Sequence, residues 1–229
     1  HLPRQGLPGS RRPLTPALHP MQPLFPMQPL FPIQPLFTPA GTWDGGFFEL
    51  VIELPHQGEA TTRRALAALW RMPQLTGCYA RRDVEPTQQQ PLNLAEVPVE
   101  GNLYGVATLP NGARCACGSY TIHFEGEASW LGLYLPYGAL TEFYSVGGYP
   151  FAPIITPSIE HNLKVVHEWF RTLAEGLYEH FAFTLGVIGF ETEFEKVKAR
   201  TPEAIPAERL DGLLIPSGIR LLWYPPTRY

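Results

Sequence analysis

Three apolar segments separated by two turn sequences occupy residues 103–135, LYGVATLPNGARCACGSYTIHFEGEASWLGLYL. The first turn sequence is Pro110-Asn111-Gly112, and Asn-Gly is the strongest short signal for a β-hairpin. The second is Glu125-Gly126-Glu127. The pattern predicts a three-stranded antiparallel meander.

A strand and a helix are predicted before this meander. Residues 47–54 are rich in β-branched and aromatic side chains, and every second residue from Phe48 to Leu54 is apolar. This alternation is typical of a strand with one buried face. Residues 59–71 contain mostly helix-forming residues and end before Pro73, so they predict a first helix.

The clearest helical pattern runs from Ser158 to Phe181. Apolar side chains recur there at spacings of three and four, which predicts a long helix with one buried stripe. Thr156 followed by Pro157 predicts an N-cap and a first-turn proline. The residues expected outside the stripe are Lys164, His167, Arg171 and Glu175.

Two further strand signals follow the long helix. Residues 182–190 predict an apolar strand, and residues 213–223 predict a hairpin that turns at Pro216-Ser217-Gly218. A weaker signal places one more helix between these two regions. Antiparallel strands separated by helices predict an α+β fold, with a mostly antiparallel sheet and two main helices packed on one face.

Residues 1–41 differ in composition from the remainder and are expected to be a disordered, proline-rich, low-complexity tail. Residues 20–38 contain three copies of one hexapeptide with proline at every third position, a pattern that favours polyproline II. The tail could be a docking arm, or a low-complexity leader with Met21 or Met27 as the true start. Residues 42–229 are expected to form a single α+β domain.

Charge is distributed unevenly along the chain. All 21 acidic residues follow Ala40, whereas Arg4, Arg11 and Arg12 precede it, so the tail carries +3 and the remainder carries −7. An acidic body counts against binding to nucleic acid and favours a basic protein partner. The mean hydropathy of −0.08 and the lack of a long apolar segment argue against a membrane span.

Three cysteines are a small and odd number, so they cannot form a closed disulfide framework. Cys115 and Cys117 point to the same face of one predicted strand, and Cys78 could join them to bind a soft metal. Buried structural thiols are the favoured interpretation. This cysteine usage and the lack of a secretory signal predict a cytoplasmic protein, and the high arginine, alanine and proline content suggests a bacterial source.

No familiar catalytic or nucleotide-binding motif occurs in the sequence. The P-loop, dinucleotide-binding, nucleophile-elbow, HExxH and CxxC patterns are all absent. Only three aspartates are present, which argues against an aspartate-built magnesium site. We therefore predict neither a cofactor nor a metal.

A polar sheet face supplies the candidate catalytic residues. Ser119 and His123 alternate with apolar residues on one predicted strand, and Glu49 and Glu53 do so on another. If the two strands share a sheet face, His123 could act as a base oriented by a glutamate, with Ser119 as nucleophile. A solvated sheet face is the structural alternative.

An aromatic, glycine-rich region supplies the candidate binding residues. Aromatic side chains beside flexible backbone can form a ligand cleft or a protein-binding surface, and core packing under a loop is the alternative. The candidates are Trp130, Tyr134, Tyr137, Tyr144, Tyr149 and Phe151.

These patterns favour a non-enzymatic protein-binding module, for instance an immunity-type inhibitor that covers a basic toxin surface. A small hydrolase or ligand-binding enzyme using the polar face around His123 is the alternative. In a third hypothesis, the proline-rich arm is the functional part and the domain only carries it.

Overall fold

The computed structural model describes residues 34–124, 127–147 and 155–229. Most of the proline-rich tail, together with Tyr149 and Phe151, lies outside the described residues. Within these ranges eight strands form one sheet and three segments form α-helices. The strands are β1 Phe47–Glu53, β2 Leu75–Tyr79, β3 Asn102–Thr108, β4 Arg114–His123, β5 Ser129–Pro136, β6 Leu185–Phe190, β7 Gly212–Ser217 and β8 Arg220–Tyr224. The helices are α1 Glu59–Leu69, α2 Tyr137–Thr141 and α3 Pro157–His180.

All neighbouring strands are antiparallel, in the order β2-β3-β4-β5-β1-β6-β7-β8. The predicted meander is confirmed as β3, β4 and β5. The predicted first strand is the central strand β1, which pairs with β5 on one side and β6 on the other. The α+β class with a mostly antiparallel sheet is therefore confirmed.

Both main helices pack on the same face of the sheet. Leu66 of α1 and Phe170 of α3 share one buried cluster with Phe48, Leu50 and Ile52 of β1. This burial follows from the alternation along β1, which directs every second side chain towards the helices. None of the helices within the described ranges is long and apolar enough to cross a membrane.

The start of α3 agrees with the prediction, but one of its side chains does not. Thr156 is the N-cap, and its hydroxyl accepts a hydrogen bond from the amide of Ile159 at 3.3 Å. His167, which was expected outside the apolar stripe, is buried and lies 5.4 Å from the ring of Tyr229. A ring that is distant in sequence therefore packs against a helix position that the periodicity alone assigns to the surface.

Residues 191–211, which we call the cover segment, pack on the opposite face of the sheet. Phe194 and Ala199 share a second buried cluster with Val51 of β1 and Val187 of β6. The weak helix prediction for this region is wrong. The cover segment, described throughout, contains only two short 3-10 turns, Phe194–Lys196 and Pro202–Ala204.

Residues 36–38, which the sequence analysis assigned to the tail, are bound to the domain. The amides of Leu36, Phe37 and Thr38 donate hydrogen bonds of 2.7–2.9 Å to the carboxylate of Glu85. Phe37 is fully buried. Within the described part of the chain, Pro35–Tyr229 forms one compact unit.

Candidate functional site

The strand register decides which of the predicted catalytic residues share a face. Glu49 lies opposite Tyr134, and Tyr134 lies opposite Gly118. Directly opposed residues of antiparallel strands point to the same side. On β4 it is therefore Gly118 and Tyr120 that share the face of Glu49, while Ser119 and His123 point the other way. The expected common face of His123 with Glu49 and Glu53 is not formed.

Ser119 and His123 do not contact each other either. Ser119 is fully buried, and its hydroxyl accepts a hydrogen bond from the indole of Trp70 at 3.1 Å. His123 is exposed, and its Nδ1 lies 2.8 Å from the hydroxyl of Ser129. Four residues along a strand separate their Cα atoms by about 13 Å. The structure therefore does not pair Ser119 with His123, and the catalytic role of these residues stays a prediction.

Glu53 connects the sheet to the cover segment. Its carboxylate accepts a hydrogen bond from the hydroxyl of Thr184 at 2.6 Å and forms a 2.9 Å ion pair with Arg200. Glu53 is buried, whereas Arg200 is more exposed. The geometry gives Glu53 a structural role in holding the cover segment against β1.

Glu49 is the most strongly perturbed carboxyl group on the same face. It is 1% exposed. It accepts hydrogen bonds from the hydroxyl of Tyr120 and from the amide and hydroxyl of Thr192, the last two at 2.7 and 3.0 Å. Burial outweighs these hydrogen bonds and raises the pKa of Glu49 to about 7. The group therefore holds a proton for much of its time at neutral pH.

A cleft opens above Glu49, with a volume of about 540 Å³. We call it the aromatic cleft and define it by the rings of Trp43, Phe47, Tyr120, Tyr134 and Phe194. The ring centroids of Phe47 and Tyr134 are 5.1 Å apart, those of Tyr120 and Tyr134 are 6.2 Å apart, and those of Phe47 and Tyr120 are 6.3 Å apart. These three rings form a continuous apolar wall.

Two glycines create the space for the tyrosine rings. Gly118 lies opposite Tyr134, and Gly132 lies opposite Tyr120. A side chain on Gly118 would overlap the ring of Tyr134, and one on Gly132 would overlap the ring of Tyr120. Each ring therefore lies across the neighbouring strand. Glycine inside a strand is the sequence signal that could have located the cleft.

Glu191 and Arg82 border the aromatic cleft. Among the described residues, Glu191 and Glu195 are exposed and form no ion pair. Burial, followed by the charges of Glu49 and Glu195, raises the pKa of Tyr120. The guanidinium of Arg82 lies 5.8 Å from the ring of Trp43. The rim thus carries one acidic and one basic side chain, and the charge of Glu195 acts on it from nearby.

Backbone geometry at the rim is strained at one residue. Among the described residues, Glu191 is the one non-glycine residue with a positive φ, at 43°. Side chains other than glycine rarely adopt this region, and such strain clusters at functional sites. The conformation places Glu191 beside Gly46, where any added side chain would meet the Glu191 carboxylate.

The predicted binding aromatics are divided between the core and the cleft. Trp130 is buried with its ring 4.8 Å from that of Phe194, so it belongs to the core. Tyr137 donates a hydrogen bond to the carbonyl of Gly147, and Tyr144 is half-buried against the main core. Tyr134 is the member of the set that lines the aromatic cleft. The other four rings of the cleft, Trp43, Phe47, Tyr120 and Phe194, are not among the predicted residues.

The three cysteines are free and buried. Burial raises the pKa of Cys78 and of Cys115 to about 12. Such thiols are neutral and poorly reactive. In the part of the chain that the structure describes, His, Cys, Asp and Glu side chains nowhere form a group of three or more suited to a metal ion.

Comparisons with protein-family models, curated proteins and solved structures give no significant match to this chain.

Proposed function

We propose that the protein is a non-enzymatic binding module of the inhibitor or immunity type, which binds a basic surface of another protein. The observation that carries the proposal is the aromatic cleft lined by the exposed carboxylate of Glu191, which has no ion pair among the described residues, with the charge of Glu195 acting on Tyr120 from nearby. In this proposal a lysine or arginine side chain of the partner enters the cleft.

The chemistry of the cleft suits a cationic side chain. A cation over an aromatic ring gains about 0.5–2 kcal/mol, depending on how far it is desolvated. Phe47, Tyr120 and Tyr134 offer such rings, and Glu191 supplies the opposite charge. Arg82 above Trp43 already makes this kind of contact within the molecule. The net negative charge of the domain would also accelerate encounter with a basic partner.

Nuclear magnetic resonance titration tests this proposal. The probe is a blocked peptide with three repeats of Gly-Arg-Ser, and the control peptide carries glutamine in place of each arginine. We expect the arginine peptide alone to shift the signals of Trp43, Tyr120 and Tyr134. Equal shifts with both peptides, or shifts confined to other regions, would contradict the proposal.

Two variants localise the effect. Glu191→Gln removes the rim charge and should weaken peptide binding about threefold to tenfold, as expected for one ion contact in a partly desolvated site. Glu179→Gln is the matched control, because Glu179 is an exposed glutamate on α3, on the opposite side of the sheet. Equal weakening in both variants would indicate nonspecific attraction by net charge.

A hydrolase that uses Glu49 is the second candidate function. The observation that favours it is a carboxyl pKa of about 7 beneath a cleft, which suits acid–base catalysis. Against it, Tyr120 and Thr192 already bind both oxygens of Glu49. Chromogenic ester substrates test it, since turnover should follow a pKa near 7 and disappear in Glu49→Gln.

We propose a reducing compartment such as the bacterial cytoplasm, supported by three buried cysteines that remain free. Labelling of the native protein with a thiol reagent should be slow and should accelerate on unfolding. The docking-arm hypothesis stays a prediction, because residues 1–33 lie outside the described ranges.

A further inference from the structure

A second cavity lies on the helix-covered side of the molecule, far from the aromatic cleft in the fold. It has a volume of about 720 Å³ and is bounded by α1, the end of α3 and the turn after β1. Its nitrogen-bearing side chains are His56, Arg64, Arg71 and His180, and we call it the basic pocket. Cavities of about 300–1,000 Å³ are typical of small-molecule sites.

The basic pocket concentrates positive charge in an otherwise acidic domain. Within the described residues, its lining contains no carboxylate. Arg64 and Arg71 form no ion pair or hydrogen bond there, whereas the neighbouring Arg63 pairs with Glu59. Two arginines without an acidic partner in one cavity leave positive charge that an anionic ligand can neutralise.

The spacing of the two arginines indicates the size of the anion. Arg64 lies in α1 and Arg71 lies two residues beyond its end, so a helical rise separates them by about 10 Å, and both line the same cavity. Ala67 and Ala68 lie between them, so small side chains keep the floor of the pocket open. Arg64 is held at one end by the ring of Phe181, 6.0 Å from its guanidinium carbon.

We propose that the basic pocket binds a small molecule that contains an oligophosphate chain. Arginine pairs with phosphate oxygens through two parallel hydrogen bonds, and an oligophosphate carries several charges along a length that both arginines can reach. Inorganic tripolyphosphate and nucleoside triphosphates share this chemistry. The inference is independent of the aromatic cleft, because the two sites lie on opposite faces of the sheet.

Isothermal titration calorimetry of the full chain tests this inference, with tripolyphosphate, ATP and succinate as probes at low ionic strength. We expect tripolyphosphate and ATP each to bind at one site, because both carry the same phosphate chain. The expected result for succinate is binding at least tenfold weaker. Absence of tripolyphosphate binding, or equal binding of succinate, would overturn the proposal.

Matched arginine variants assign the site. Arg64→Gln and Arg71→Gln should each weaken tripolyphosphate binding at least tenfold, whereas Arg220→Gln should change it less than twofold. All three arginines are exposed, so the variants should fold, and unchanged thermal midpoints verify this. A loss of the same size in Arg220→Gln would show that the binding follows net charge only and would overturn the site.

Discussion

On one face of the sheet, α1 and α3 cover β1 with regular helical stripes, whereas on the other face the cover segment lies over β1 and β6 without an α-helix in any of its described residues. The helix-covered face of β1 is entirely apolar. The other face carries Glu49 and Glu53, both buried and both bonded to groups outside β1. The helical layer depends on apolar burial, whereas the cover segment combines a smaller apolar cluster with polar contacts that also shape the aromatic cleft.

The largest expected effect comes from the helix-covered face. Phe170 is fully buried, so Phe170→Ala should lower the free energy of unfolding by about 3–5 kcal/mol. Phe194→Ala, on the other face, should cost less because the cover segment can relax into the space. Chemical denaturation of both variants measures the difference. An equal loss would show that the cover segment is as rigid as the helical layer.

The contrast between the two layers also explains what the sequence could predict. Apolar side chains at every second position predict β1 and the strands of the meander, and apolar side chains three and four residues apart predict α3. Each of these elements has a periodic side that must be buried. The cover segment has no such period, so the helix predicted there does not exist. His167 was expected to be exposed, but the structure buries it, and Tyr229, which is distant in sequence, packs against its ring.

The candidate site was harder to predict, because it depends on register. The sequence shows that Glu49 alternates with apolar neighbours along β1. It does not show which set of β4 residues lies on the same side of the sheet as Glu49. A shift of one position exchanges the two faces, so Tyr120 rather than Ser119 contacts Glu49. Tyr134 was a candidate only because its region is rich in aromatic residues and glycine. Gly118, which lies opposite it, leaves the space that the Tyr134 ring occupies.

The second largest effect concerns the proton on Glu49. The native carboxyl keeps its proton up to about pH 7, whereas an unfolded glutamate releases it near 4.5. The native state then binds more protons between these values, so the free energy of unfolding should fall by about 3 kcal/mol as pH rises through this interval. Above pH 7 this contribution should level off.

Chemical denaturation from pH 4.5 to 8 measures this dependence. Glu49→Gln should flatten the curve, because its side chain cannot ionise. Asp211 should contribute in the same direction, since burial raises its pKa to about 6, and Asp211→Asn separates its share. A Glu49→Gln curve as steep as that of the unmodified protein would contradict this account.

An intermediate effect is expected at the glycine beneath Tyr134. Gly118→Ala should cost about 1–3 kcal/mol, because the new methyl group overlaps the ring and forces it to move. The same substitution should cost much less when Tyr134 is already alanine. A double-mutant cycle by chemical denaturation measures this coupling. If the effects of the two substitutions simply add, the position of the Tyr134 ring does not depend on the space at Gly118.

The smallest effect should come from the contact that binds residues 36–38. Burial would raise the pKa of Glu85, but the hydrogen bonds from Leu36, Thr38 and Phe37 outweigh it and lower the pKa. Glu85→Gln should therefore cost about 1 kcal/mol or less, because the site is partly open to water. Hydrogen exchange should show faster exchange at these three amides, while β1 remains protected. Unchanged exchange there would mean that Phe37 alone, buried in the core, holds this segment to the domain.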